Sequence, residues 1–355
     1  MRRLLLTAKH MRVKLYLTIF VLCVSALLFS CNRGPTSVSR KLLIYTPHGQ
    51  DLLKESIARF KAAHPDVDVQ FLDMGSREVL ERIRAERNRP QADLWWGAAH
   101  MTFQTAAEEN LLATYRPTWA DAIPTDARDS QDRWYGTFKT PEVIVYNTDA
   151  VKPEEAPKDW DDVLDPKWRD KILIRNPNPS DSMRAIFGAM IWRFYKDTGS
   201  PQQGYEWLKR LDANVKEYTV DGTLMMQKLV RREGVITLWN LPDVWIYKEQ
   251  RRFPVGYVFP TSGTPVITDG IAIVRGAPNE EDAKRFYEFV NTPESLTLAA
   301  KKYYRIPVRK DLDRTQLPAW MNEPVNEMPI DWNVMRNQIN EWLRHWDLEI
   351  RGKGN

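Results

Sequence analysis

The apolar positions of this chain keep one rhythm near its start and another through the rest of its length. Leu15 to Ser30 is a nearly unbroken apolar run of roughly sixteen residues. From Lys41 onward, short apolar runs alternate with segments whose apolar residues recur every three or four positions. "KLLIYTP" reads as a buried strand that stops at Pro47 and Gly49. "DLLKESIARFKAAHP" places Leu53, Ile57 and Phe60 on one helical face, with Pro65 just beyond the end. "VDVQFLD" returns to strand. In "GSREVLERIRAERNRP", Ser76 is the expected N-cap, Val79, Leu80 and Ile83 share a face, and Pro90 is the stop. "ADLWWG" is the next strand. This alternation predicts a parallel sheet with helices on its faces.

After a polar interval the pattern resumes with strands at "VIVYN", "KILIR", "VITLW", "VGYVF" and "GIAIV". Between them, "SDSMRAIFGAMIWRFYKDTG" predicts an apolar helix closed by Gly199. "SPQQGYEWLKRL" predicts a capping box, with Ser200 at the cap, Pro201 at the first helical position and Gln203 answering it. Two capped helices follow at "NEEDAKRFYEFVN" and "TPESLTLAAKK". A last amphipathic helix spans about Asp331 to Leu348, with Trp332, Met335, Ile339, Trp342 and Trp346 at spacings of three and four.

The leader changes the reading of charge. Arg2, Arg3, Lys9, Arg12 and Lys14 precede the apolar run without an acid among them, the build of an export signal. The run is shorter than the ~20 residues of a spanning helix, and lengthening it would bury Lys9, Arg12 and Lys14. A plain membrane anchor is the competing reading. The whole sequence has 51 Lys and Arg against 47 Asp and Glu; without the five leader cations, 46 face 47, close to −1. No basic field for nucleic acid survives that subtraction. The only cysteines are Cys23 and Cys31, so a chain cut before Cys31 has no pair to oxidise. "LLFSC" resembles the bacterial lipoprotein signal, in which a Leu three before, a small residue one before and the cysteine itself direct diacylation and cleavage; Phe29 is bulkier than that pattern usually holds. Residues 1–31 are then a lipoprotein-type signal peptide, and 32–40, "NRGPTSVSR", a flexible tether.

Candidate chemistry lies at loops after strands. His48 and His100 both fall there, where open α/β sheets collect ligands, although a loop histidine is equally at home in solvent. No HExxH or paired-cysteine spacing, nucleophile elbow or phosphate loop is present. In "RNPNPSDSMR", Ser180, Asp181 and Ser182 lead into a helix whose free N–H groups suit phosphate or carboxylate, or Ser180 and Asp181 simply cap it. An inward Asp181 would repel an anion. Trp239 and Asn240 in "LWNLPDVW" offer a face and an amide, or core packing. Asp269 in "TPVITDGIAIV" could meet an ammonium group or cap a turn.

Taken in order, "LLIYTPHG", "SREVLERIRAERNRPQADLWWGAAH", "YGTFKTPEVIVYNTDAV", "WDDVLDPKWRDKILIRNPNPSDS", "REGVITLWN", "GTPVITDGIAIVRGAPNEEDAKRFYEFVNTPES" and "RIPVR" resemble bacterial extracellular solute-binding proteins of ABC importers. The resemblance is to the type 2 periplasmic fold, in the branch with ferric-ion, hexose-phosphate, phosphonate and thiamine binders. It implies an α/β fold of two lobes joined by two crossover strands, with ligand clamped in the cleft between them. Lobe 1 is expected at 41–146 plus 265–300, lobe 2 at 147–264, and a C-terminal helical segment at 301–355. The resemblance implies a cleft lined by Thr46, His48, Gly49, Ser76, Gly97, Ala98, Ser180, Ser182, Trp239, Asn240 and Asp269. It implies a non-enzymatic protein without cofactor or metal, a monomer that takes a small, anionic organic solute and delivers it to a membrane permease. It would be exported and tethered in the periplasm or at the cell surface through Cys31. Ferric members carry adjacent tyrosines where this chain has "NLPDVW", which disfavours a ferric-ion carrier, the second reading of the same resemblance. Tyr303 and Tyr304 lie outside that segment and are read as packing or hinge residues. Two further readings are a ligand sensor on the same fold and, least favoured, an exported hydrolase using His48 or His100.

Overall fold

The computed structural model describes residues 40–353; the apolar leader, Cys23, Cys31 and the tether through Ser39 lie outside them. Ten strands form one sheet. β1 (Arg40–Thr46) lies between β2 (Val67–Asp73) and β3 (Leu94–Ala99), parallel to both. Helices α1 (Gln50–Ala63) and α2 (Ser76–Glu86) make the connections, and α3 (His100–Glu108) follows β3. The rest of the sheet departs from the parallel expectation. β9 (Val266–Ile273) inserts antiparallel between β3 and the long β4 (Tyr135–Asn147). The chain returns from far along the sequence to make β9, so local alternation carries no sign of its direction.

β4 joins the two ends of the sheet. Through Pro141 it pairs with β9, and from Glu142 onward with β7 (Ile236–Asn240) and β8 (Val255–Val258). Beyond β7 lie β5 (Ile172–Arg175) and β6 (Val215–Thr219), parallel to one another. β10 (Ile306–Pro307) pairs with the first part of β4. Apolar cores form on both sides of this junction, one around Leu94, Trp96 and Phe286, the other around Trp160, Phe187 and Leu238.

Helix starts follow from local chemistry. In α4 (Asp181–Thr198), Ser180 is the N-cap and its Oγ accepts from Met183 N at 3.4 Å; Gly199 ends the helix in the left-handed region at φ 68. α5 (Gln202–Asp212) lacks the predicted capping box. Ser200 N donates to Thr198 Oγ1 at 3.1 Å, which ties Ser200 to the closing turn of α4 and leaves Pro201 as N-cap. α6 (Gly222–Val230) is capped by Asp221, and α7 (Leu241–Trp245) by Asn240. Ser76 is the first residue of α2 rather than its cap, Gly75 taking that place. α8 (Glu280–Val290) precedes α9 (Pro293–Tyr303), where Thr292 and Pro293 cap and start the helix as expected.

The last helix, α10 (Trp332–His345), continues as one wide turn through Ile350. It lies against α4, and a Cβ on Gly188 would stand 2.9 Å from Met335 Sδ and Ile339 Cδ1, so a larger residue there would force these side chains to shift. With Trp346 edge-on to Phe187 at 5.3 Å, α10 fixes the axis of α4. That axis decides where the α4 N-terminus points. No helix among the described residues is long and apolar enough to cross a membrane.

Candidate functional site

A cleft of about 610 Å³ opens where the carboxyl ends of β1, β2 and β3 face those of β5 and β7. One wall carries His48, Gly49, Asp73, Ser76 and Ala98; the other carries Arg175, Ser180, Ser182, Trp239, Asn240 and Asp243. Asp269 from β9, together with Tyr303 and Arg305 at the end of α9 and just after it, completes the lining. This is the crevice at strand ends that open α/β sheets offer to ligands.

Of the residues expected from the sequence, nine line this cleft: His48, Gly49, Ser76, Ala98, Ser180, Ser182, Trp239, Asn240 and Asp269. Thr46 and Gly97 stand behind the wall. Thr46 is fully buried and its Oγ1 accepts from His48 N at 3.1 Å, which shapes the turn that presents His48. Gly97 holds φ 100, and a Cβ there would lie 2.9 Å from the His48 ring, so its role is to let the imidazole pack. Ala98 adopts φ 96, a left-handed conformation unusual for a side chain, at the irregularity between Trp96 and Ala99 in the β3–β9 pairing.

The polar groups of the cleft are organised around two carboxylates. Asp243, on α7, accepts from Asn240 Nδ2 at 2.9 Å and Trp239 Nε1 at 3.2 Å, so Asn240 is engaged with its own helix. Its other oxygen lies 3.4 Å from Arg305. Asp269 accepts from Thr140 Oγ1 at 2.7 Å; burial pushes its carboxyl up to about 7, with Arg305 and Thr140 pulling the other way. Burial likewise pushes Asp73 up. Beneath them Glu142, wholly buried on β4, has its carboxyl driven well above the usual range by burial, only partly offset by the Ser182 hydroxyl. His48 is held well below the usual histidine range by burial and then by Arg305.

Two guanidiniums stand out, and neither is among the residues expected from the sequence. Arg305 is 7% exposed, its Nε is buried without a partner, and its one side-chain bond among the described residues is the long contact to Asp243. Arg175 ends β5 with its Nε also buried and unpartnered, and its guanidinium sits 5.6 Å from the centre of the Trp239 ring. Buried donors without acceptors are costly unless something else supplies the acceptor. The Trp239 ring is seated by Gly222, where a Cβ would fall 2.6 Å from the ring. Tyr303, expected in packing or hinge, lines the cleft beside Arg305.

Residues 55–327 match the family model described as bacterial extracellular solute-binding protein. A Sinorhizobium fredii protein named as a probable ABC transporter periplasmic-binding protein is 26% identical over 312 residues, covering 87% of this chain and 86% of that one. A provisional 2-aminoethylphosphonate-binding periplasmic protein of Salmonella typhimurium is 27% identical over 300 residues, covering 79% and 78%. Among solved structures, the periplasmic binding protein AfuA of Actinobacillus pleuropneumoniae, with exogenous fructose-6-phosphate bound, superposes with a TM-score of 0.75 at 24% identity over 87% of this chain and 98% of its own. A ferric binding protein from Campylobacter jejuni superposes at 0.74 with 19% identity, covering 86% and 98%.

Proposed function

The chain belongs to the bacterial extracellular solute-binding proteins and is the substrate-binding protein of an ABC importer, and on that premise we propose that its solute is a small organic anion bearing phosphate, phosphonate or carboxylate. The observation that carries this reading is the pair of unpartnered buried guanidinium nitrogens on Arg175 and Arg305 beside the α4 N-terminus. An anion between them would satisfy donors that the chain leaves open, with the hydroxyls of Ser180 and Ser182 beside it. The lining also carries five aspartates, Asp51, Asp73, Asp181, Asp243 and Asp269, against the three arginines 175, 251 and 305. The far end of the solute therefore donates, as a hydroxyl or an ammonium. Relatives named for 2-aminoethylphosphonate and solved with fructose-6-phosphate support this chemistry. A ferric ion fits the lining less well, because burial pushes the Tyr247 phenol up to about 12, away from the phenolate a hard trivalent ion needs.

Capture is binding followed by release to the membrane permease, with no bond made or broken. Lobe 1 (41–146 plus 265–300) and lobe 2 (147–264) supply the two walls, with 301–355 packed across them, and the chain works as a monomer because both walls come from it. The expected result of a thermal-shift panel is a melting temperature that rises with one compound class among phosphate esters, phosphonates and carboxylates, by the mass-action term RT ln(1 + [L]/Kd). No movement with any of them sinks the anion assignment.

Cys31 is the point of attachment to the membrane, since "LLFSC" leads directly into a tether ahead of β1. Radiolabelled fatty acid is expected to label the wild-type chain and not Cys31→Ala. Equal labelling of both would leave the leader as an ordinary signal peptide.

A further inference from the structure

Helix α3 begins without a cap of its own. Ala99 occupies the N-cap position with extended backbone, φ −66 and ψ 145, and a methyl group accepts nothing from the free amides that follow. For the amide of Ala99 itself, an acceptor comes from the opposite wall of the cleft. Asp181, the first residue of α4, accepts from Ala99 N at 2.9 Å and lies 3.1 and 3.2 Å from Thr102 Oγ1. All three residues are buried.

Asp181 follows β5, and Ala99 ends β3, strands that lie on opposite sides of the β9–β4 junction. The contact therefore exists only while the two walls are together. A second bond grips the other end of the same helix: Arg336 of α10 meets Glu108 of α3 at 2.6 Å. Since α10 is packed on α4, both ends of α3 bond to this one helix pair. Arg184, on the same helix, lies within electrostatic reach of Asp181.

We propose that Asp181 is the closure latch of the cleft, a positioning residue that caps α3 in trans when the walls meet. This rests on the solute-clamping reading above. It has a consequence for ligand orientation. A helix N-terminus at the mouth of such a cleft is a ready anion site, but here the chain's own carboxylate already stands at it, on Ala99 N and Thr102 Oγ1. The anionic group of the solute is thereby directed away from Gly97, Ala98 and Ala99 and toward Arg175, Arg305 and Ser182. Asp181 lines the cleft, but its carboxylate oxygens are engaged by Ala99 N and Thr102 Oγ1.

The test uses the full chain without solute, with hydrogen exchange of the Ala99 amide and the solution-scattering radius of gyration as readouts. Asp181→Ala is expected to speed exchange at Ala99 by roughly tenfold or more and to enlarge the radius. Formate, which replaces the lost carboxylate, is expected to restore both in Asp181→Ala while leaving the wild type unchanged. Unaltered exchange and radius in Asp181→Ala, or no recovery with formate, overturns the latch. If Asp181→Ala does not fold, Asp181→Leu takes its place: it fills the side-chain volume but offers no acceptor, so faster Ala99 exchange than wild type supports the latch and unchanged exchange overturns it. Neither readout involves solute, so failure of the anion panel and failure of the latch are separate results.

Discussion

Arg305→Met is expected to weaken binding of the anionic solute by at least roughly 100-fold, or ~3 kcal/mol. Methionine keeps much of the length of the stem, so the packing of the buried aliphatic part is largely retained. What is lost is the guanidinium. Its partners within the protein are few: a 3.4 Å contact with Asp243 and an Nε with none. The donors not used by the fold are the ones available to a phosphate or carboxylate, in the forked geometry that arginine presents to such groups. Removal also takes a nearby cation from Asp243 and Asp269, so the cleft repels an anion more strongly. Both effects act on the bound state. Titration calorimetry with the panel compound that stabilises the wild type measures the loss, and an affinity within threefold of wild type would show that the anion sits elsewhere. Arg175→Met should be milder, because part of what Arg175 does is pack over Trp239, and the methionine stem keeps some of that contact.

How much of this could be read from the sequence depends on the distance over which each feature is determined. The start of α9 at Thr292 and Pro293 and the Ser180 cap of α4 are local, set by residues within one turn, and were legible. So were most lining loops, because they follow strands whose apolar runs are plain. The direction of β9 was not, since it depends on a return from more than a hundred residues away. Arg305 was hidden for the same reason. It follows the α9 helix in "KKYYRIPVR", and only the left-handed turn at Tyr304, φ 55, carries it into the cleft beside Asp243. A clue existed in "LWNLPDVW", where an aspartate behind a tryptophan and an asparagine calls for a cation that the segment does not contain. For Asp181 the sequence carries half of the answer: a carboxylate there cannot face an anion, and the structure gives the place to which it turns instead.

The buried carboxyl of Asp269 makes the stability of the solute-free protein depend on pH in an unusual direction. Its value of about 7 lies above the ~3.9 of an exposed aspartate. Between those values the folded chain holds a proton that the unfolded chain has lost, so stability falls as pH rises through this window and levels off above about 7. Glu142, also raised by burial, contributes in the same sense. His48 and His100 act oppositely. Burial holds His100 at about 4 and His48 well below its ordinary range, so below about 6.5 the unfolded chain takes up protons that these rings refuse. The informative quantity is therefore the difference between wild type and Asp269→Asn, in which the histidine and Glu142 contributions largely cancel. Asparagine keeps an acceptor for Thr140 and cannot ionise. The variant is expected to be more stable than wild type at pH 8 by an amount on the order of a few kcal/mol, the gap shrinking as pH falls toward 4. Melting temperatures across pH 4.5 to 8 measure it, and parallel curves for the two proteins would mean that Asp269 does not titrate in this range. The same proton bears on capture. An anion beside Asp269 favours its neutral form, so binding near pH 7 should draw protons from the buffer. Calorimetry in buffers of different ionisation enthalpy should detect that uptake in wild type and find it reduced in Asp269→Asn, whose affinity for the anion should also fall less as pH rises.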